Sequence, residues 1–280
     1  MLTVKAPAKL NLTLEVLGKR PNGYHEVRSV LQTVDLCDTL SFQPYHGIHF
    51  EADLPSWSAG KSLVGKAVSL LQRTFAVSSG VDIKMGKRIP QLAGLGGDSS
   101  GAAAVLRGLN ELWELDLSME KLLALAVQLG SDVPFFLYGG TALAEGRGEK
   151  VTPLPPLPRM WVVLFVPDVP REPGKTGRMY AAIRPAHYTD GRVTEDLMKA
   201  LKEGGFRPTM LFNTFENIAF ALTSRLNVYK EHFIKLGAPD VHLAGSGPAL
   251  FALLEDESQA KGLYTRCKNQ GMEAYLVGTV

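Results

Sequence analysis

The chain carries only two cysteines in 280 residues, Cys37 and Cys267. Two are too few for a disulfide framework, so free thiols in a reducing cytoplasm are expected. Net charge is also scarce. Thirty Lys and Arg face 28 Asp and Glu, a formal charge of +2 with His neutral. No long Lys/Arg run appears, so nothing argues for nucleic acid as a partner. No apolar run reaches the ~18 residues a membrane span needs, and no apolar leader precedes the first strand-like residues. Histidine is sparse too, at six residues. His46 and His49 lie close together but have no further ligand nearby, which reads as a pair of surface residues and leaves any metal ligand unassigned.

Hydrophobic residues make up 45% and charged residues 21%, the balance of an ordinary globule able to bury a large core or two smaller ones. Glycine is plentiful at 28 residues, and its placement is uneven. Pro90, Gln91, Leu92, Ala93, Gly94, Leu95, Gly96, Gly97, Asp98, Ser99 and Ser100 form one run, and an alanine-rich helical pattern follows it. Glycine permits positive φ and lets a bulky anion approach backbone N–H groups. At a helix start those groups are unpaired and the dipole is positive, so the run reads as a seat for phosphate. A plain capped turn is the bland alternative. A Walker loop is excluded because no lysine follows the glycines, and a dinucleotide fingerprint fails because Ser99 stands where its last glycine belongs.

Ahead of this loop, residues 8 to 16 alternate like a strand. Ala8, Leu10, Leu12, Leu14 and Val16 share one face; Lys9, Asn11, Thr13 and Glu15 share the other. Lys9 and Asn11 thus point the same way, on what would ordinarily be a solvated face. Further strands are expected around 30–42, 81–85, 161–166, 241–244, 249–254 and 274–277. Helices are expected over 62–75, after the loop, over 120–128, near 193–202, over 216–235 and between the last two strands. Four prolines in 152–158 mark a linker, which divides the chain into residues 1–155 and 156–280.

Chemistry-bearing residues are few. Asp132 precedes a proline-containing turn, where it serves as a helix cap or as a carboxylate that accepts a hydroxyl proton. Lys9 can offset charge on a transferring phosphate. Tyr24 and His25 follow the turn Pro21-Asn22-Gly23 and suit stacking on a base and reading its edge. Gly245, Ser246 and Gly247 form a second glycine loop between strand-like runs.

Taken together, these segments resemble the GHMP kinase superfamily. Its three motifs match in order: Pro7 to Leu12, Pro90 to Ser100, and Leu243 to Gly247. Within it, the segments Gly18 to His25, Val34 to Asp38, Gly130 to Phe136 and Leu211 to Glu216 are similar to the kinases of 4-diphosphocytidyl-2-C-methyl-D-erythritol, in the non-mevalonate isoprenoid pathway. The resemblance implies a two-domain α+β fold. Its N-terminal half is ribosomal-protein-S5-domain-2-like, its C-terminal half a ferredoxin-like sandwich, with the active site in the cleft. It implies ATP as co-substrate with Mg²⁺, and a small cytidylyl alcohol as acceptor. The protein would be cytoplasmic, monomeric or homodimeric, without nucleic-acid or membrane partners. Residues 90 to 100 would bind ATP. Asp132 would be the base and Lys9 the catalytic lysine. Asn11, Tyr24, His25 and, on a looser match, Tyr180 would hold the acceptor, and residues 245–247 would close on phosphate. Another small-molecule kinase of the superfamily, or a non-catalytic nucleotide-binding relative, is the alternative. One departure stands out: Asp98 occupies a place usually small, and Gly101 the place of an acid. A carboxylate beside triphosphate repels it unless it turns away or binds through a metal.

Overall fold

A computed structural model describes all 280 residues. The chain opens with strands β1 (Leu2–Asn11), β2 (Thr13–Lys19), β3 (His25–Tyr45) and β4 (Ile48–Ala52). Helix α1 (Leu63–Phe75), strand β5 (Gly80–Gly86) and helices α2 (Gly97–Leu112), α3 (Met119–Leu129) and α4 (Val133–Tyr138) follow. Next come β6 (Thr141–Gly146), β7 (Lys150–Pro153), β8 (Trp161–Phe165), α5 (Lys175–Ala182) and α6 (Arg192–Glu203). The chain ends with β9 (Phe212–Asn213), α7 (Phe215–Leu222), α8 (Ser224–Lys235), β10 (His242–Leu243), β11 (Leu250–Leu254), α9 (Glu257–Asn269) and β12 (Ala274–Gly278).

Two compact units interleave along this order. The first holds Met1–Ala8, Leu36–Ile89 and Gly96–Gly139; the second holds Lys9–Asp35, Pro90–Leu95 and Gly140–Val280. They are therefore not sequence-contiguous halves. The proline-rich run carries no helix or strand between the end of β7 and the start of β8.

In the first unit, β5 pairs antiparallel with the end of β3, from Thr39↔Gly86 to Tyr45↔Gly80, and parallel with β4. Helix α2 packs closely because its facing residues are small. A Cβ on Gly101 would lie 2.9 Å from Val64 Cγ2 of α1, and one on Gly108 2.6 Å from the Phe42 ring. Ala102, Val105 and Leu109 are buried as the helical spacing requires.

In the second unit, β8 lies between β11 and β12, antiparallel to both, and β10 extends the sheet beyond β11. Phe165, Phe215, Phe233 and Leu263 sit in the core of this unit. The unit also contains the start of β3, paired antiparallel with β2 and β6, with β9 parallel to β2.

Two expected elements are broken. The alternating run 8–16 is not one strand: a bend at Leu12 separates β1 from β2. There the backbone N–H donates to Val30 O while the carbonyl accepts from Phe212 N, so the chain changes partners. Its polar face is not solvated either; Lys9, Asn11, Thr13 and Glu15 are all buried. The helical run 216–235 is likewise two helices, α7 and α8, split at Thr223, whose φ of −129° and ψ of 84° lie outside the helical region. Helix α5 and the short strand β9 were not foreseen. Neither cysteine is in a disulfide, and burial pushes the Cys267 thiol up to about 11, leaving it inert. His49 Nδ1 lies 2.6 Å from Asp82 Oδ1, and no cluster of three His, Cys, Asp or Glu stands ready for a metal. No helix is long and apolar enough to cross a membrane.

Candidate active site

The second unit brings together Lys9, Asn11, the first half of the glycine run 90–100 and the late glycine loop. Lys9 Nζ donates to Asn11 Oδ1 at 2.7 Å, as expected for residues one pleat apart. Asn11 Nδ2 donates in turn to Ser29 Oγ at 2.8 Å, and Ser29 Oγ to Thr13 O at 2.5 Å. This chain aims the amide oxygen at the ammonium. The loop residues 90–95 are held from two sides: Lys9 N donates to Leu95 O at 3.0 Å and Ala249 N to Ala93 O at 3.1 Å.

The two glycine loops touch backbone to backbone. Gly94 has φ +88°, and a Cβ there would fall 2.0 Å from Ala244 O. Gly245 has φ +55°, and its Cβ would fall 3.1 Å from both Gly94 O and Lys9 Nζ. Only glycine satisfies both the dihedral and the contact at Gly94. Asn213 fastens the second loop, donating to Leu243 O at 2.9 Å and Gly245 O at 2.8 Å. Glu216 accepts from Leu243 N at 2.9 Å and pairs with His242. For His242, burial lowers the pKa, but the Glu216 hydrogen bond and the charges of Glu216 and Asp240 more than reverse this, so the net shift is upward.

A second group in this unit is aromatic. His25 stacks on Tyr180, with centroids 5.1 Å apart and planes inclined by 19°. Phe215 backs Tyr180 edge-on at 4.9 Å. Burial, then the charge of Lys19, lowers the His25 pKa, so the ring is neutral at pH 7 and offers one donor and one acceptor. Tyr24 is 54% exposed, with the Arg147 guanidinium 4.9 Å over its ring. The stack and the glycine loop meet through α5: Thr176 Oγ1 lies 2.9 Å from Ser246 Oγ, and Tyr180 follows on the same helix.

The first unit holds the rest of the loop and Asp132. Gly96, at φ +73°, precedes α2, which has no side-chain cap. Its first N–H groups are therefore left for a ligand. Asp98 does not face them. Its carboxylate accepts from Ser62 Oγ and from Leu63 N, the latter at 3.0 Å, capping α1 instead. The turned-away alternative is the one realised. Buried Asp38 fixes the approach to the loop, accepting from Arg88 N at 2.7 Å and Ile89 N at 2.8 Å and pairing with Lys87. Ser100 is buried with no partner for its hydroxyl.

Asp132 stands at the N-cap of α4 but makes no capping bond. The expected cap fails because its φ of −84° and ψ of −15° are helical, whereas capping requires an extended residue. Its carboxylate is thus not committed to the helix end. Sequence reasoning missed Thr176, Arg147 and Asn213. Asn213 lies inside a segment that resembles the family, but nothing in the spacing of Thr176 or Arg147 signals a partner 70 or 123 residues away.

An uncapped helix behind a glycine loop, and a lysine against a second glycine loop, define a class. The model for the GHMP kinases N terminal domain matches residues 62–140, and that for the GHMP kinases C terminal matches residues 194–272. This is the fold and motif set of the GHMP kinases, phosphotransferases that use ATP as co-substrate. A homoserine kinase structure from Cytophaga hutchinsonii shares the fold at TM-score 0.74 and 18% identity, covering 100% of this chain and 94% of that one. The chain belongs, within that class, to the 4-diphosphocytidyl-2-C-methyl-D-erythritol kinase family. It is 47% identical to the family's enzyme from Dehalococcoides mccartyi, covering 100% of this chain and 99% of the relative. The Enterococcus faecalis enzyme is 40% identical over 99% and 98%. A crystal structure of 4-(cytidine 5'-diphospho)-2C-methyl-D-erythritol kinase superposes with TM-score 0.85 at 35% identity, covering 99% of each chain.

Proposed function

We propose that this chain transfers the γ-phosphoryl group of ATP to the 2-hydroxyl of 4-diphosphocytidyl-2-C-methyl-D-erythritol, and does so in the cytoplasm; the relatives' names support the acceptor and the kinase activity. Residues 90–100 bind the nucleotide, the N–H groups at the start of α2 facing its phosphates. Asp132 accepts the hydroxyl proton and Lys9 offsets charge on the transferring group. Asn11 contacts the acceptor and holds the Lys9 ammonium in place. Tyr24, His25 and Tyr180 take the cytosine, and residues 245–247 close on phosphate. The division at 155/156 into a nucleotide-binding half and a second half belongs to this reading.

Mg²⁺ enters with ATP in this reading. Mg²⁺ prefers one or two protein ligands plus phosphate oxygens and water. The absence of any three-residue acidic or His cluster suits an ion carried by the nucleotide. The buried Ser100 hydroxyl, without a partner, is a further donor near the loop. When bound, the ion would offset charge on the β- and γ-phosphates.

The observation that supports this most is the contact of Gly94 with the Ala244–Gly247 loop beside Lys9, with Thr176 joining that loop to the His25–Tyr180 stack. The test is direct. With ATP, Mg²⁺ and the cytidylyl alcohol, the enzyme should release ADP; without the alcohol it should release almost none. Asp132→Ala should lose at least about a hundredfold in kcat while retaining ATP binding. An active Asp132→Ala protein, or ADP release indifferent to the alcohol, overturns the reading.

A further inference from the structure

Helix α5 joins two parts of the second unit that the reading above assigns to one acceptor. At its second residue Thr176 touches the glycine loop through Ser246, and at its sixth Tyr180 stacks on His25. At 1.5 Å per residue these contacts stand about 6 Å apart along the axis. A nucleoside diphosphate has the matching layout, a base at one end and phosphates one sugar away.

Lys175 opens this helix. It is half-buried and makes no hydrogen bond and no ion pair. The charge acting on it is that of Arg178, which has the same sign. It also sits at the positive end of a helix, where a cation is disfavoured. Burial first, and Arg178 second, lower its pKa to about 8, so the ammonium remains mostly charged at pH 7. Nothing within the protein compensates this charge. A desolvated, uncompensated cation one residue before the threonine that touches the glycine loop fits a ligand's charge better than a structural role.

We propose that Lys175 is a specificity-determining residue whose ammonium binds the phosphate oxygens of the acceptor's diphosphate. This rests on the reading of the acceptor as a cytidine diphosphate derivative. Thr176 and Tyr180 place the helix; Lys175 distinguishes a diphosphate-bearing ligand from the bare nucleoside. No bond is made or broken at Lys175.

The test compares CDP with cytidine as calorimetric ligands, without ATP, on the full-length enzyme and on Lys175→Met and Lys175→Arg. The wild type should prefer CDP. Lys175→Met should lose about tenfold or more of that preference, the scale of a hydrogen bond to a charged group, with cytidine binding unchanged. Lys175→Arg should keep most of it. Because an uncompensated charge is removed, Lys175→Met should melt no lower than the wild type. An unchanged CDP-to-cytidine ratio in Lys175→Met overturns the proposal. So does a loss confined to the KM for ATP, which would assign the lysine to the donor's phosphates. A wild type that binds neither cytidine nor CDP instead overturns the cytidylyl reading on which the proposal rests.

Discussion

At the scale of single residues, the site depends on atoms that are missing as much as on those present. Gly94 combines positive φ with a backbone oxygen 2.0 Å from where a Cβ would stand. Gly94→Ala should therefore lower unfolding free energy by about 1–3 kcal/mol from the strained dihedral alone, and raise the KM for ATP as the two loops separate. Urea unfolding and steady-state kinetics check both; an Ala variant with unchanged stability and KM would show that the loops need not touch. The glycine was legible in the sequence as a loop residue. Its partner was not, because Ala244 lies 150 positions away and only folding sets them against each other. Buried Lys9 makes the same point. Alternation placed it beside Asn11 correctly, yet implied solvent where the fold buries both.

At the scale of elements, helix ends carry the informative contrast. Helix α1 is capped by Ser62 and by Asp98, whereas α2 has no side-chain cap. Asp98→Ala should cost about 1 kcal/mol, the worth of a lost cap. A melting scan should show this as a fall of a few degrees. Asp98→Asn should keep the wild-type Mg²⁺ dependence, since the carboxylate faces Ser62 and Leu63; a raised Mg²⁺ requirement would put it on the metal after all. The sequence marked Asp98 as out of place but could not say which helix it served.

The β10–α7 contact titrates. Folding raises the His242 pKa through Glu216 and Asp240, so the folded state binds the proton more tightly than the unfolded chain. That stabilisation is fully present below the unfolded value near 6.5 and is lost as pH rises through the higher folded value. The melting-temperature gap between wild type and His242→Gln should therefore be wider at about pH 6 than at about pH 8.5. A gap that widens with pH would contradict the upward shift.

At the scale of the whole molecule, chain order and compactness do not coincide. Lys9 and Asp132 belong to different compact units, and the glycine run 90–100 is itself divided between Leu95 and Gly96. If Lys9 and Asp132 act on one alcohol, their effects on kcat cannot add. Lys9→Ala combined with Asp132→Ala should be little slower than the worse single variant. Multiplicative losses in kcat would mean that the two residues serve separate steps.

Local chemistry determined much of this protein: the loop glycines, the strand character around Lys9 and most helix spans follow from short-range spacing, and the family motifs are legible as a resemblance. Periodicity reports the face a residue shares with its neighbours, and turn residues report the dihedrals they must adopt. Folding alone decided the break at Leu12, the turn of Asp98 toward α1, and the meeting of Gly94 with Ala244. It also placed Thr176, next to Lys175 on one helix, on Ser246. Each of these depends on a partner far away in the chain, and no local preference encodes a distance that only packing creates.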